Sequence, residues 1–556
     1  LMASSQPRHL AALSRLVEEI RVRQSEVFGN FLLLELWAGE GSDDESAPLF
    51  RIHADRRGTP QLLLEKMESA LLKVRIAGQV SSVAISYSNA VHPPGIEALQ
   101  HERGRPLTTI GLEVKPIYRD SESGELFPME LRGLHRMLAK ALKRTFYAFT
   151  HSHTVQRPKH FHELGRRAMT QAVRESDRRL AAISNRFDLL LHVTPVNAAQ
   201  AWEGFKRSRF QRPPSFLYRP RPIDPALMKR ELFNIPIERI EDPTLAYIYT
   251  QKQTELDRQI SLVADRNTPN FLFGSRQLFG EVEDALLKQA EQILTELAPG
   301  SDNEQRSEIL PVEQFVEQAR NELDYYRQQD KGLSSRVELR DDITGILVSR
   351  GNFLIGSDAR VPRIRAEAAL AHEIGTHVLT YHNGRQQPLQ EFYSGMANYE
   401  PLQEGLAVVA EYLVGGLNRS RLRLLAGRVV AVEQIHRGAE FIETFRTLHE
   451  EYSFGQQEAF TITMRVYRGG GYTKDAVYLR GLLFVMQQLA EGRELEDLLL
   501  GKISQEQLAL VDELRWRKVL KNGPLRPRYL TLPQAQQRLQ RLSGGLSLMG
   551  LLEEVS

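Results

Sequence analysis

No cysteine occurs among the 556 residues, which excludes a disulfide framework, a thiolate metal site and a cysteine nucleophile. Any metal must therefore sit on nitrogen and oxygen donors. The same absence makes a cytoplasmic protein the expectation. No apolar run reaches the roughly 18 residues that a membrane span needs, so integral membrane association is not expected. The opening LMASSQPRHL lacks the apolar stretch of a secretory signal, and its Leu ahead of Met reads as a cloning or processing residue. Charge of one sign is missing too. The 72 basic and 70 acidic side chains leave a formal +2, which provides no strong field for nucleic acid or an anionic membrane.

What is present describes a folded chain. With 42% hydrophobic residues it can bury a sizeable core, and its length suggests two or three domains. Apolar positions recur at helical spacing from residue 8 to about 35. GQVSSVAISYSNAV and PLTTIGLEVKPIYRD then read as strands, and LRGLHRMLAKALKRTFYAF (131 to 149) as an amphipathic helix. The expectation is a smaller α+β accessory domain over 1–160. His151, His153, His160 and His162 follow that helix and offer metal donors, but no acid-plus-base constellation accompanies them, so surface or capping roles suit them better. The basic, aromatic SRFQRPPSFLYRPRPIDP (208 to 225) is broken by prolines and reads as an extended connector rather than a nucleic-acid strip. From about 165 onward helical patterns dominate, without an internal repeat or a sustained heptad seam. The polar SDNEQRSE (301 to 308) reads as an exposed loop.

The chemistry concentrates in RAEAALAHEIGTHVLTYHNG, residues 365 to 384. In an H-E-x-x-H segment the histidines are four apart, so both face one side of a helix and can share a metal, with the glutamate as base. Here His372 and His377 are five apart, which turns the second imidazole roughly 140° from the first on an ideal helix. Shared ligation requires a π-like turn, or a helix that loosens before His377, and Gly375 between them lets a helix widen cheaply. Upstream, two short apolar runs flank Arg350-Gly351-Asn352 and predict a β-hairpin, whose edge could hold an extended peptide.

A catalytic zinc normally takes three protein ligands plus water. The third is expected from NYEPLQEGLAVVAEYLVGGL (398 to 417). Glu404 has the stronger claim, because Gly405 permits close backbone approach; Glu400 and Glu411 are alternatives. A further cluster, TMRVYRGGGYTKDAVYLRG (463 to 481), places Arg465, Arg468, Lys474 and Arg480 among glycines and tyrosines. Arginine grips a carboxylate bidentately and lysine as a point charge, while Tyr467, Tyr472 or Tyr478 could donate to a substrate.

HEIGTH (372 to 377), YHNG (381 to 384), QEGLA (403 to 407) and EYLVGGL (411 to 417) together resemble the tyrosine carboxypeptidase family of microtubule-associated metallopeptidases. The likeness is to its bacterial QEGLA-motif branch, whose name refers to modulation of flavohaemoglobin expression. The resemblance runs from roughly residue 165, through TPVN, to about 481. It implies a mainly helical, zincin-like metallopeptidase domain over 161–556, with a short sheet or hairpin beside the metal helix and a catalytic core at about 340–485. It further implies one catalytic Zn²⁺ on His372, His377 and Glu404, and Glu373 as general base and acid. The substrate would be a peptide or protein C-terminal tail, possibly ending in an aromatic residue. Substrate contacts are expected from Arg465, Arg468, Tyr472, Lys474 and Tyr478. The alternatives are a zinc endopeptidase or other amide hydrolase, and a metal-binding non-enzymatic regulator. The oligomeric state is left open.

Overall fold

The computed structural model describes residues 7–39, 47–76, 79–88, 91–93, 107–120, 122–165, 168–299, 308–343, 345–521 and 523–553. SDNEQRSE lies outside these except for Glu308. Helix takes 60% of the chain and strand 9%, so the fold is mostly helical α+β with small sheets. Two compact units are present, one of residues 1–168 with 241–247, the other of 169–240 with 248–556.

The first unit holds a four-stranded mixed sheet of β1 (Leu32–Ala38), β2 (Phe50–Ala54), β3 (Val83–Tyr87) and β4 (Thr108–Val114), in the order β1-β4-β2-β3. β1 runs parallel to β4, β4 antiparallel to β2, and β2 parallel to β3. Helices Gln61–Leu71 and Pro128–His153 bury Leu64, Met67, Leu134 and Leu138 in one core with Ile52, Ile110 and Leu112 of the sheet. One expectation needs correction. The helical spacing read from residue 8 to about 35 ends with Phe28, because Gly29 takes φ +82° and stops the helix. The apolar LLLELWA that follows is strand β1, where pairing with β4 decides a run that periodicity leaves ambiguous.

In the second unit β5 (Val337–Arg340), β6 (Ile346–Ser349) and β7 (Asn352–Gly356) form a sheet in the order β5-β7-β6. The β6–β7 hairpin turns at Arg350 and Gly351, both at positive φ (49° and 78°), the backbone of a tight primed turn. Gly351 is also required sterically, since a Cβ there would lie 2.2 Å from the Tyr381 ring. Phe353 and Ile355 of β7 pack into one core with Phe315 and Leu323 of helix Val312–Gln329 and with Ile374 and Val378 of the HEIGTH segment. That core anchors the hairpin to the helix that carries the histidines.

Helix Glu400–Leu413 is buried almost throughout and crosses helix Val477–Ala490 at very short range. A Cβ on Gly405 would fall 2.2 Å from the Gly481 carbonyl, and one on Gly481 would fall 1.8 Å from the Pro401 carbonyl oxygen. The glycine of QEGLA is thus fixed by backbone-to-backbone contact. Gly405→Ala should destabilise the second unit by about 3 kcal/mol or more, the upper part of the overpacking range, because neither backbone can yield locally. Chemical denaturation measures this, and an unchanged midpoint would refute the close crossing.

Candidate active site

The HEIGTH segment forms one helix with a local change of winding. Ala366–His372 is α-helical, Glu373–Val378 is a π turn, and Leu379–Gln386 resumes the α-helix. The widened turn supplies the rotation that a five-residue spacing demands. It brings the imidazole centroids of His372 and His377 to 5.1 Å. Gly375 contributes by clearance, since a Cβ there would meet the Tyr529 ring at 2.9 Å. Thr376 Oγ1 donates to the Ala371 carbonyl, five residues back, and helps hold the wide turn.

Across from these rings, the Oε2 atom of Glu404 lies 3.8 Å from His372 Nε2 and 3.7 Å from His377 Nε2. It is buried without a hydrogen-bond partner among the described residues. One donor atom from each of the three side chains lies within 4.8 Å of the others, and among the described residues they are the group so arranged. Although burial opposes ionisation of Glu404, Lys474 and the two histidines outweigh it and hold the carboxyl well below its usual range.

Glu400 and Glu411, weighed above as ligands, are engaged elsewhere. Glu400 Oε1 accepts from Lys474 Nζ at 2.7 Å. Glu411, two helical turns beyond Glu404 and 1% exposed, accepts from His372 Nδ1 at 2.8 Å. Ionised Glu411 can only accept, so Nδ1 of His372 carries a proton, and the ring is held with Nε2 facing Glu404. Arg365 donates to Glu411 at 2.5 Å, and Arg421 donates to both of its oxygens at 3.0 and 2.8 Å. Burial raises the Glu411 pKa, but Arg421, His372 and Arg365 together drive it well below the ordinary value. The role was legible only in part. The seven-residue spacing puts Glu411 on the face of Glu404, but nothing local predicts its two arginines.

Arg465, Arg468, Tyr472, Lys474 and Tyr478 all line one cavity of about 760 Å³ together with His372, Glu373, His377 and Glu404. Their partners separate them. Arg465 is held bidentately by buried Asp475 at 2.5 and 2.9 Å, and Lys474 by Glu400 and, at 3.5 Å, by Glu404. Arg468 is buried and stacks over Tyr472, its Nη1 donates to Thr194 Oγ1 at 3.2 Å, and its Nε and Nη2 have no hydrogen-bond partner among the described residues. The Tyr478 ring lies under the Arg428 guanidinium. Arg480 turns away to Glu283 and the Phe279 carbonyl, and Tyr467 bonds Thr444 and the Ala439 carbonyl; neither lines the cavity. Strand β6 lines it through Leu347, Val348 and Ser349, and Asp188 reaches it from the opposite segment, accepting from Ser349 Oγ at 3.0 Å.

Among the described residues, the histidines near the end of helix Pro128–His153 form no group of metal donors. His151 and His160 lie against Tyr147, and His153 against Phe149, while the side chain of His162 is outside the described residues.

A histidine pair, a carboxylate with a free oxygen and an adjacent glutamate, opening into a cavity with an unpaired arginine, make a site of the hydrolase class. The chain matches the family model described as microtubule-associated tyrosine carboxypeptidase over residues 203–546. It belongs to that family, a family of carboxypeptidases, and its match contains every histidine, glutamate, arginine, lysine and tyrosine named for the site. The matched stretch starts later than the resemblance read from the sequence, beyond TPVN, and ends later, past residue 481. No curated protein matches the chain. Among solved structures, a chain described as a lipoprotein of unknown function from Shewanella oneidensis aligns over 71% of this chain and 80% of its own, at 13% identity and a TM-score of 0.28, too low to bear on the fold. No helix among the described residues is long and apolar enough to cross a membrane.

Glu411→Gln should destabilise the second unit by about 1.5–3 kcal/mol near neutral pH, since it leaves two half-buried arginines facing a neutral amide. The native carboxyl titrates below the unfolded value of about 4.3, so its contribution is complete above that pH and is lost as pH falls through the depressed native value. Denaturant unfolding of both proteins from pH 8 to 3 should show a constant gap down to about pH 4.5 that narrows below it; a gap independent of pH would refute this assignment.

Proposed function

We propose that this protein is a zinc-dependent metallocarboxypeptidase with a zincin-like catalytic domain, of the bacterial QEGLA branch of its family, that removes the C-terminal residue of a peptide or protein tail. The observation that carries this reading is the buried Glu404 oxygen, left without a hydrogen-bond partner opposite two imidazole Nε2 atoms. A buried carboxylate oxygen without a hydrogen-bond donor costs several kcal/mol of unfavourable desolvation, and a cation between it and the two imidazoles relieves it. Two nitrogens and one oxygen, with no cysteine anywhere in the chain, are a catalytic zinc donor set. His372, His377 and Glu404 would hold the ion.

When bound, zinc supplies Lewis-acid polarisation of the scissile carbonyl and lowers the pKa of an adjacent water. The chain's own residues do the rest. Glu373 lines the cavity immediately after His372 and is not one of the three converging donors. It takes the proton from the attacking water and returns it to the departing amine. Glu411 fixes the tautomer of His372. Lys474 bridges Glu400 and Glu404 and keeps the Glu404 carboxylate charged and aimed. Arg468 has unused donors in a buried place, and the terminal carboxylate of a substrate supplies the acceptors that they lack. Arg465 and Lys474, already paired, act as supports, while Tyr472 positions Arg468 and Tyr478 faces the substrate. A preference for an aromatic terminal residue accords with the family's description and with cavity walls that include Tyr381, Tyr393 and Tyr399. The first unit contributes none of these residues and is accessory, and a cytoplasmic setting accords with a chain that carries no cysteine.

An endopeptidase would use the same centre but has no need of an unpaired guanidinium beside it. The test is metal-dependent digestion of a peptide library followed by mass spectrometry. The native protein should release single C-terminal residues, and Glu373→Gln should reduce that release by about 10²–10⁴-fold. Arg468→Met should raise KM by about 10–100-fold for free-acid peptides, the value of a charge-assisted hydrogen bond, and leave C-terminally amidated peptides as poor as before. Internal fragments would indicate an endopeptidase, and zinc binding without turnover a regulator.

A further inference from the structure

Arg468 opens a run of three glycines, Gly469 to Gly471, whose φ angles are +68°, +110° and +127°. Glycines offer no side chain by which a loop can be held and have the most backbone freedom to lose, so the direction of Arg468 depends on what grips the backbone beside it. Both polar groups of Gly469 are gripped. Its N–H donates to the Tyr218 hydroxyl oxygen at 2.8 Å, and its carbonyl accepts from the Asn267 N–H at 2.7 Å. The guanidinium meets Thr194 Oγ1, whose own proton goes to the Leu190 carbonyl at 2.6 Å.

Tyr218 belongs to the proline-broken connector, and that connector is fixed on both sides of it. Ahead of Tyr218, the Val196 N–H donates to the Leu217 carbonyl at 2.8 Å, the Leu217 N–H to Asn197 Oδ1 at 2.8 Å, and Asn197 Nδ2 to the Ser215 carbonyl at 3.0 Å. Beyond it, Arg266 Nη1 donates to the carbonyls of Arg219 at 3.0 Å and His192 at 2.7 Å, and its guanidinium lies 5.1 Å from the Tyr218 ring centroid. Thr194, Val196, Asn197 and Arg219 line the catalytic cavity, whereas Tyr218 does not. Its influence on a substrate therefore runs through Gly469.

We propose that Tyr218 is a positioning residue for the terminal carboxylate of the substrate: its hydroxyl oxygen fixes the Gly469 N–H and so holds the adjacent Arg468 guanidinium where that carboxylate docks. The assignment rests on the carboxypeptidase reading above. Without the hydroxyl, the Gly469 N–H loses its partner and the glycine run regains conformers, so Arg468 has to be ordered each time a substrate binds. The cost falls on binding. Bond cleavage takes place at the histidine pair, which Tyr218 does not touch, and is left as it was.

The test is a double-mutant cycle on the full chain with the free-acid peptide that the native protein cleaves fastest in the library above. Tyr218→Phe should raise KM about 3–10-fold, the worth of one neutral hydrogen bond, and leave kcat unchanged. In the Arg468→Met background the same substitution should leave KM unchanged, because the group it positions is gone. A merely structural tyrosine would act alike in both backgrounds. Tyr326 is the matched control, since its hydroxyl accepts from the Arg528 N–H at 2.8 Å and it does not line the cavity, so Tyr326→Phe should not move KM. Hydrogen exchange over residues 468–472 should quicken in Tyr218→Phe and not in Tyr326→Phe. An unchanged KM in Tyr218→Phe, an equal rise in both backgrounds, or unchanged exchange over 468–472 would overturn this assignment alone. Failure of the native protein to release any C-terminal residue would overturn the carboxypeptidase reading, and this assignment with it.

Discussion

The placement of Glu404 and Lys474 against the histidines depends on the crossing of two helices at Gly405 and Gly481. With no side chain between them, the 400–413 helix sits low enough against the 477–490 helix for Glu404 to face the histidines while Lys474, just ahead of Val477, reaches back to Glu400 and Glu404. A methyl group at either glycine would push the two backbones apart by an ångström or more, and polar contacts of 2.7 to 3.8 Å do not survive such a shift. The QEGLA motif thus couples a packing requirement to a chemical one in adjacent residues.

Around that crossing the buried charges are arranged in closed groups. Glu411 is compensated by Arg365, Arg421 and His372, and Asp475 by Arg465 with Arg428 nearby. Glu400 and Glu404 share Lys474. Each group meets the condition for burying ions, that desolvation be offset by several partners. Against this background the exceptions stand out. Among the described residues, Glu404 Oε2 and the Nε and Nη2 of Arg468 lack hydrogen-bond partners, and both side chains line the same cavity as the histidines. Glu391 and the Arg428 Nε are also without hydrogen-bond partners among the described residues, but Glu404 and Arg468 line the cavity, where an entering group can supply what they lack.

Parts of this were readable from sequence because they are local. The hairpin at Arg350-Gly351 follows from two short apolar runs and a turn pair, and the need for a π turn follows from a five-residue histidine spacing. Parts were not. LLLELWA was absorbed into the preceding helix because a continuous apolar run carries no period, and only β4, some seventy residues away, makes it a strand. Glu411 was readable as sharing a face with Glu404, yet Arg365 and Arg421, which hold it, come from other segments. Arg465, Arg468 and Lys474 look equivalent in sequence. Asp475 and Glu400 remove two of them from contention, and nothing in the run of letters says which carboxylate pairs with which cation.

The sequence by itself determined the inventory: no cysteine thiolate, two histidines five apart on a helix with a glutamate between them, and a glycine beside the third carboxylate. Those are matters of composition and of spacing along one backbone, where 3.6-residue periodicity is a sufficient ruler. The tertiary structure decided the roles. Which glutamate faces the histidines, which one orients His372, and which arginine remains unpaired are set by contacts between segments tens of residues apart, because an ionised side chain is defined by whatever charges packing brings within about 4 Å of it.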